Sequence, residues 1–312
     1  MNVVASTIPG PRSSTGVDHA SDQAIRLAGV ITTTFLVAGT WPMWQWAASH
    51  ANRTPPLLHA AALALSLLVL TRVARAPRLV RDWLPLALGP FLYIELRWLI
   101  EGAGQPHRDA TVVQWERALF GGDPSSAWAP AWANTLLSEA LHLCYASYYL
   151  LVLVPPVVLY LRGQRADFAQ TLLALAVVYA ACFATYLFFP VDGPRYLIGP
   201  AAAPDGPIRG LVLHLLAQGS SRGTAFPSSH VAASVVASLC ALRADPRLGW
   251  PIAVLTVGLT LGTVYGGFHY AVDGLAGVVT GAAAWALSRI IWRRLSVGDG
   301  YPAPGVTRAT AA

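Results

Sequence analysis

The chain has 312 residues, of which 55% are hydrophobic and only 12% are charged. Because soluble domains carry about 25% charged residues, this composition excludes an ordinary water-soluble protein and indicates a membrane protein. The formal net charge is +6, and all 21 basic residues are arginine. The arginines lie mostly at the ends of apolar runs, so we interpret the positive charge as contact with a membrane surface and expect no nucleic-acid partner.

The first 22 residues are polar and rich in Ser, Thr, Gly and Pro, which predicts a flexible tail over 1–22. Beyond it, eight apolar segments have about the length that a membrane-spanning helix needs. They are residues 27–48, 56–72, 83–100, 135–161, 168–189, 228–243, 250–267 and 272–292. We therefore predict an all-α fold, a polytopic membrane helical bundle of about eight transmembrane helices, over 23–295, followed by a flexible tail over 296–312.

The longer connection 101–134 mixes Trp115 and Phe120 with charged residues, which is typical of a helix at the membrane interface. Arginine is concentrated in the segments on the other side of the predicted bundle, so the positive-inside rule places both termini in the cytoplasm. Segments 101–134 and 190–227 and the turn 267–272 then lie outside. We expect an integral protein of a bacterial plasma membrane with its active site on the extracytoplasmic face.

Glycine recurs at every fourth residue in the last two predicted spans, as Gly258, Gly262 and Gly266 and then as Gly277 and Gly281. This spacing lets two helix backbones approach each other closely in lipid. We therefore expect both helices to pack tightly against their neighbours.

Two histidines lie at the outer ends of predicted spans. Ser228 and Ser229 begin the sixth span with the free backbone N–H groups that bind anions at a helix start, and His230 follows them. His269 and Asp273 lie four residues apart where the seventh span meets the eighth, so on a helix the carboxylate can orient the imidazole. The 39 residues from His230 to His269 suffice for one span inward and one back. We expect the two imidazoles at the same membrane level.

Two arginines in segment 190–227 complete this pattern. Arg195 follows the fifth span and Arg222 precedes His230 by eight residues, and each guanidinium can bind phosphate through two N–H groups. An anion pocket, a nucleophile with an orienting acid and a separate proton donor are the parts that phosphoryl transfer through a phosphohistidine requires. Arginine and helix-end N–H groups supply the positive charge, so we expect no metal and no cofactor.

Polar residues also recur on the fourth predicted span. Glu139, His142, Tyr145 and Tyr149 lie three or four residues apart and share one stripe of the helix. Because polar groups inside a membrane are costly, the stripe indicates either a site for a head group or acceptor alcohol, or hydrogen bonds between helices. The histidines to which we assign structural roles are His59, His107 and His214.

The two histidine segments resemble signatures of a known family. The segment Phe-Pro-Ser-Ser-His over 226–230 resembles the second signature of the type 2 phosphatidic acid phosphatase superfamily, and 264–277 resembles the third. The motifs cover about 186–280. The resemblance implies a six-helix phosphatase core, here about 135–292 within the catalytic domain, with extra N-terminal spans before it.

The same resemblance implies the roles of the site residues. His269 is then the nucleophile, Asp273 its partner and His230 the general acid. Where the family's third signature usually carries Ser-Arg, this chain has Gly262 and Thr263. That departure is similar to the branch of inositol phosphorylceramide synthases, which move a phosphorylated head group between lipids.

We therefore predict a lipid phosphatase or head-group phosphotransferase that acts on a lipid phosphate ester, with water or an alcohol as acceptor. The alternative is a membrane lipid transporter or binding protein with a decayed phosphatase site, because the arginine of the third signature is missing.

Overall fold

The computed structural model describes residues 15–72 and 76–297, and over these residues the chain forms fourteen α-helices. They are α1 (Thr15–Ser49), α2 (Thr54–Thr71), α3 (Arg78–Ala87), α4 (Gly89–Ala103), α5 (Asp109–Phe120), α6 (Pro124–Ala131), α7 (Thr135–Ala146), α8 (Tyr148–Leu161), α9 (Arg165–Phe188), α10 (Pro194–Leu197), α11 (Pro207–Gly219), α12 (Ser229–Ala244), α13 (Pro246–Tyr265) and α14 (Ala271–Val297). Of the two predicted tails, 1–14 and 298–312 lie outside the described residues.

The helix lengths confirm an all-α polytopic bundle. Among the described residues, six segments are long and apolar enough to cross a membrane: α1, α2, α3 together with α4, α9, α13 and α14. The pair α7 and α8 makes a seventh if it counts as one span bent by 44°. The remaining predicted span is α12, which has 16 residues and is shorter than the about 20 that a spanning helix needs.

α1 begins earlier than the sequence predicts. Residues 15–22, expected in the flexible tail 1–22, form the first turns of this helix, with Ser21 buried. Asp22 pairs with Arg165 at the start of α9, and Arg165 also binds the buried Asp82 of α3 at 2.8 Å. Ion pairs with other helices therefore hold a polar segment whose composition alone is typical of a tail.

α9 lies at the centre of the bundle and packs against α1, α4, α8, α12 and α14. The short helix α12 is enclosed by α9, α13 and α14, and its residues Val231, Ala232 and Ala233 are buried. His59 and Glu95 form a buried pair at 3.0 Å that links α2 to α4, in agreement with a structural role for His59. Because α12 carries His230, this central position fixes one half of the predicted site.

The repeated glycines lie where helix backbones meet. A Cβ atom at Gly262 of α13 would be 2.5 Å from the carbonyl oxygen of Leu141 in α7. A Cβ atom at Gly277 of α14 would be 2.7 Å from the carbonyl oxygen of Ser228, at the start of α12. The close packing predicted from the spacing of these glycines is confirmed, and it sets the distance between α12 and α14.

We expect Gly277→Ala to lower the free energy of unfolding by about 1–3 kcal/mol, because the added methyl group must push α14 away from α12. Gly274→Ala is the matched control on the same helix, since its Cβ would meet only Thr260 Cγ2 at 3.8 Å. Thermal unfolding of both variants in detergent checks this. Equal unfolding midpoints would contradict the packing argument.

Candidate active site

The segment 226–230, which resembles the second signature, leads into the start of α12. The Ser228 hydroxyl accepts the Val231 N–H at 3.4 Å and caps the helix. The Ser228 N–H donates to the carbonyl oxygen of Asp273 at 3.0 Å, and the Ser229 N–H donates to the Tyr186 hydroxyl at 3.1 Å. The N–H groups predicted to bind phosphate at Ser228 and Ser229 thus already have partners within the fold.

The segment 264–277, which resembles the third signature, includes the turn between α13 and α14. Gly267 has a φ of 67°, in the left-handed region that favours glycine. The N–H group of His269 donates to the Thr263 carbonyl oxygen at 3.1 Å, which fixes the turn. His269 Nδ1 lies 3.4 Å from Asp273 Oδ2, and the same oxygen accepts the Tyr270 N–H at 2.9 Å. The carboxylate of Asp273 therefore lies on the Nδ1 side of the imidazole.

The two histidines meet at one end of the bundle. The ring centroids of His230 and His269 are 6.1 Å apart. Aromatic rings enclose His230, with Tyr145 stacked at 5.4 Å and Tyr148 at 4.3 Å between centroids. α12 runs away from His230 and α13 runs back, so the chain has returned to the same level, as the 39-residue spacing predicts.

The protonation state of His269 follows from its surroundings. Burial has the largest effect on the pKa of His269, and the nearby positive charge of Arg195 has the next largest. Together they lower this pKa to about 3. A hydrogen bond to the backbone at Ala225 acts in the opposite direction. The imidazole is therefore neutral near pH 7 and has a nitrogen lone pair available for attack.

The segment that carries Arg195 packs against the turn of His269. Val191 pairs with Thr224 in an isolated β-bridge, which joins the two halves of the outer loop. Gly193 has a φ of 89°, and a Cβ atom there would lie 3.1 Å from the Phe268 carbonyl oxygen. Only glycine fits this close approach, which places Arg195 beside the histidines.

The two predicted phosphate-binding arginines have different environments. Arg222 donates from Nε and Nη2 to one carboxylate oxygen of Asp192, at 3.1 and 2.7 Å. Arg195 donates to the Tyr196 hydroxyl at 2.8 Å, and its guanidinium lies 4.4 Å from the centroid of that ring. The charge of Arg222 is thus balanced by Asp192, whereas the partner of Arg195 is a neutral phenol.

Two carboxylates on α5, Asp109 and Glu116, hold the site and were not singled out in the sequence. The oxygens of Glu116 accept the N–H groups of Ala271 at 2.9 Å and Val272 at 2.8 Å, the first two residues of α14. Asp109 accepts the N–H groups of the Asp192–Gly193 segment, both at 3.0 Å. One short helix therefore holds both the histidine turn and the arginine loop.

A signal for these residues does exist in the sequence. Asp109, Val112 and Glu116 follow each other at three and four residues, so they share one face of α5. That face is buried, while Trp115 and Phe120 are exposed, as an interfacial helix requires. Acidic residues on the buried side of such a helix indicate backbone N–H partners elsewhere in the fold.

His107 joins this network, although the sequence pattern predicts no partner for it. His107, Asp109 and Asp192 offer ligand atoms that all lie within 4.8 Å of one another. His107 Nδ1 is 2.9 Å from Asp192 Oδ1, which also accepts the Gly223 N–H at 2.9 Å. Since every oxygen of the Asp109 and Asp192 carboxylates already accepts a hydrogen bond from the protein, hydrogen bonding within the fold accounts for the cluster.

The predicted polar stripe is divided between two locations. Both oxygens of Glu139 accept N–H groups at the start of α11, and His142 Nδ1 lies 2.6 Å from the Ser138 carbonyl oxygen. These contacts fit the structural alternative for Glu139 and His142. Tyr145 packs on His230, and Tyr149 lines a cavity that reaches His230.

Comparison with known families agrees with this site. A family model described as the PAP2 superfamily matches residues 110–287, which is more than half of the chain. The chain belongs to the PAP2 superfamily. No curated protein and no solved structure matches it significantly. The family match includes every residue of the site described above except His107 and Asp109, and it leaves out α1 to α4.

Loss of the Glu116 carboxylate is expected to loosen the start of α14. Glu116→Ala leaves two buried N–H groups, of Ala271 and Val272, without an acceptor, which costs about 1–3 kcal/mol for each group. Amide hydrogen exchange over 269–275 should therefore become faster, and the unfolding temperature should fall.

The control for this variant is Asp123→Ala. Asp123 forms an exposed ion pair with Arg117 just beyond the same helix, and exposed pairs contribute less than about 1 kcal/mol. Unchanged exchange over 269–275 in Glu116→Ala would show that the carboxylate does not hold α14.

Proposed function

We propose that this protein is an integral membrane lipid phosphatase or head-group phosphotransferase that cleaves a lipid phosphate ester through a phosphohistidine. One observation carries the proposal: the ring centroids of His230 and His269 lie 6.1 Å apart while Asp273 Oδ2 lies 3.4 Å from Nδ1 of His269. A phosphate group between the rings would contact a nucleophile on one side and a proton donor on the other.

The first step is attack on phosphorus. His269 Nε2 forms a bond to phosphorus, and the bond to the ester oxygen breaks with its electron pair left on that oxygen. His230 gives a proton to the departing alkoxide, and the negative charge of the bound phosphate favours the imidazolium form that carries this proton. Asp273 stabilises the positive charge that develops on His269 and keeps its ring in position. The 3.4 Å separation is long for a hydrogen bond, and such contacts often tighten when substrate binds.

The second step releases the phosphoryl group. The neutral His230 takes a proton from water or from an alcohol, whose oxygen attacks phosphorus as the bond to His269 breaks. Water yields inorganic phosphate, and an alcohol yields a new phosphate ester. Both outcomes return His230 to the imidazolium form and His269 to the neutral form, so protons balance over the cycle.

We assign the main phosphate contact to Arg195. Its positive charge acts on His269, and its guanidinium has no carboxylate partner in the described part of the chain. Arg222 is bound to Asp192, so we assign it to holding the loop. Arg195 thereby takes the place of the arginine that the third signature lacks at Thr263. Positive charge near the transferring oxygens is the largest expected contribution to catalysis.

The predicted topology places this end of the bundle outside the cytoplasm of a bacterial cell. The aspartate–arginine pairs Asp22–Arg165 and Asp167–Arg243 lie at the opposite end. An excess of arginine at that end supports a cytoplasmic location for it. The substrate phosphate would then be presented from the outer leaflet.

His269→Ala is expected to lower turnover of a lipid phosphate monoester at least about 10³-fold, because the nucleophile is removed. The assay follows inorganic phosphate and head-group transfer in micelles, with and without an added alcohol. His214→Ala on α11 is the control and should retain wild-type rates. Phosphate release from the wild type indicates a hydrolase, whereas transfer that depends on the alcohol indicates a transferase.

Two results would contradict different parts of this proposal. Turnover close to wild type in folded His269→Ala protein would overturn the phosphohistidine proposal. Absence of both activities in the wild type, over a broad panel of lipid phosphates, would favour the transporter or binding protein. The Gly262-Thr263 pair is the feature that favours this second candidate.

His230→Ala should affect substrates according to their leaving group. An alkoxide needs a proton from His230, whereas p-nitrophenolate leaves without one. We therefore expect the variant to lose about 10²–10⁴-fold on an alkyl phosphate and much less on p-nitrophenyl phosphate. Steady-state kinetics of both substrates provide the measurement. Equal losses on the two would contradict a role for His230 as general acid.

A further inference from the structure

A cavity of about 190 Å³ lies beside His230, between α4 on one side and α8 on the other, with α9 as its floor. Ser229 and His230 are at one end, and the rest of the lining is aliphatic, aromatic, glycine or proline. The Tyr148 and Tyr179 hydroxyls bond to each other at 2.7 Å, so these rings contribute apolar surface. The cavity is therefore apolar up to the catalytic end.

The side of this cavity is open to the membrane. Ile94 of α4 is 44% exposed, and on α8 Tyr149 is 64% and Leu153 is 43% exposed. These residues line the cavity and lie on helices of the membrane bundle, so their exposed surfaces face hydrocarbon. A lipid in the bilayer can enter sideways without crossing water.

The cavity extends away from His230 along α4 and α8. Tyr149 and Leu153 are one helical turn apart, which is roughly 6 Å along α8. On α4, Gly89 lines the cavity one turn below Tyr93, and a Cβ atom there would meet nothing within 4 Å. The shape is that of a slot that runs from the catalytic histidine into the membrane.

Polar and apolar surfaces are separated around the site. A second, open cleft of about 620 Å³ is lined by Arg97, His107 and Arg222 among others. Its charged groups suit the polar side of a substrate and exclude a hydrocarbon chain. The apolar slot between α4 and α8 is the matching place for the chain.

We propose that this slot binds the hydrocarbon chain of the phosphate ester, so that α3 and α4, which lie outside the region matched by the family, select the chain that is accepted. The inference rests on the proposed function for its catalytic readout. It assigns to the N-terminal helices a part of the substrate site, since Leu86, Gly89 and Ile94 form one wall of the slot.

The test compares dodecyl phosphate with butyl phosphate. Leu153→Trp fills the far part of the slot, so the ratio of KM for dodecyl phosphate to KM for butyl phosphate should rise about tenfold. That factor corresponds to the loss of about two buried methylene groups. Leu150→Trp is the matched control, since Leu150 is 63% exposed on the same helix and does not line the slot. An unchanged ratio in folded Leu153→Trp protein would overturn the proposal.

A second measurement needs no turnover. Dodecyl phosphate with a diazirine at the end of its chain is crosslinked to the full-length wild-type protein, and the labelled peptides are identified by mass spectrometry. We expect labels on α4 and α8, with a severalfold lower yield in Leu153→Trp. Labels confined to other helices would overturn the proposal. Such labels would show that dodecyl phosphate adsorbs on the outer surface of the protein as a detergent does. Labels on α4 and α8 without any turnover would retain the slot and reject only the enzyme.

If Leu153→Trp does not fold, Leu153→Phe provides a smaller obstruction at the same position, and size-exclusion chromatography shows which variant is intact. The crosslinking result on the wild type stands independently of both variants.

Discussion

The end of the bundle at which His230 and His269 meet depends on the hydrogen bonds that the Glu116 carboxylate accepts. The first N–H groups of a helix have no hydrogen-bond partner within that helix. At the edge of a membrane, water does not reach all of these groups, so the protein must provide acceptors for them. Glu116 accepts two such groups at the start of α14, and Asp109 accepts two from the Asp192–Gly193 segment. A single interfacial helix thus fixes both the His269 turn and the Arg195 loop.

Close packing of α12 against α14 fixes the position of His230 relative to His269. α12 carries His230 and lies against α14 at Gly277, where any side chain would meet the Ser228 backbone. The Ser228 N–H in turn donates to the Asp273 carbonyl oxygen. The two signature segments are therefore bonded directly to each other, and the separation of the two imidazoles follows from backbone contacts rather than from flexible side chains.

Sequence patterns predicted much of this protein. Apolar segment lengths gave the helical bundle, and the order of His230, His269 and Asp273 gave the residues that meet at its end. The patterns were less informative where a polar residue had several possible partners. Composition suggested a tail over 1–22 because it could not show that Asp22 pairs with Arg165. It likewise could not show that Arg222 is bound to Asp192 while Arg195 is not.

By itself, the sequence determined the class of fold, the family and the chemical groups available, because these depend on local periodicity and on short motifs. Only the tertiary structure decided which groups are committed to the fold. Asp109, Glu116 and Glu139 each accept backbone N–H groups from segments more than 65 residues away. The tertiary structure also decided where the apolar slot lies, since helices α4 and α8 are distant in sequence and each packs against α9. Partners that lie far apart along the chain leave no local pattern, and burial selects them only when the helices pack.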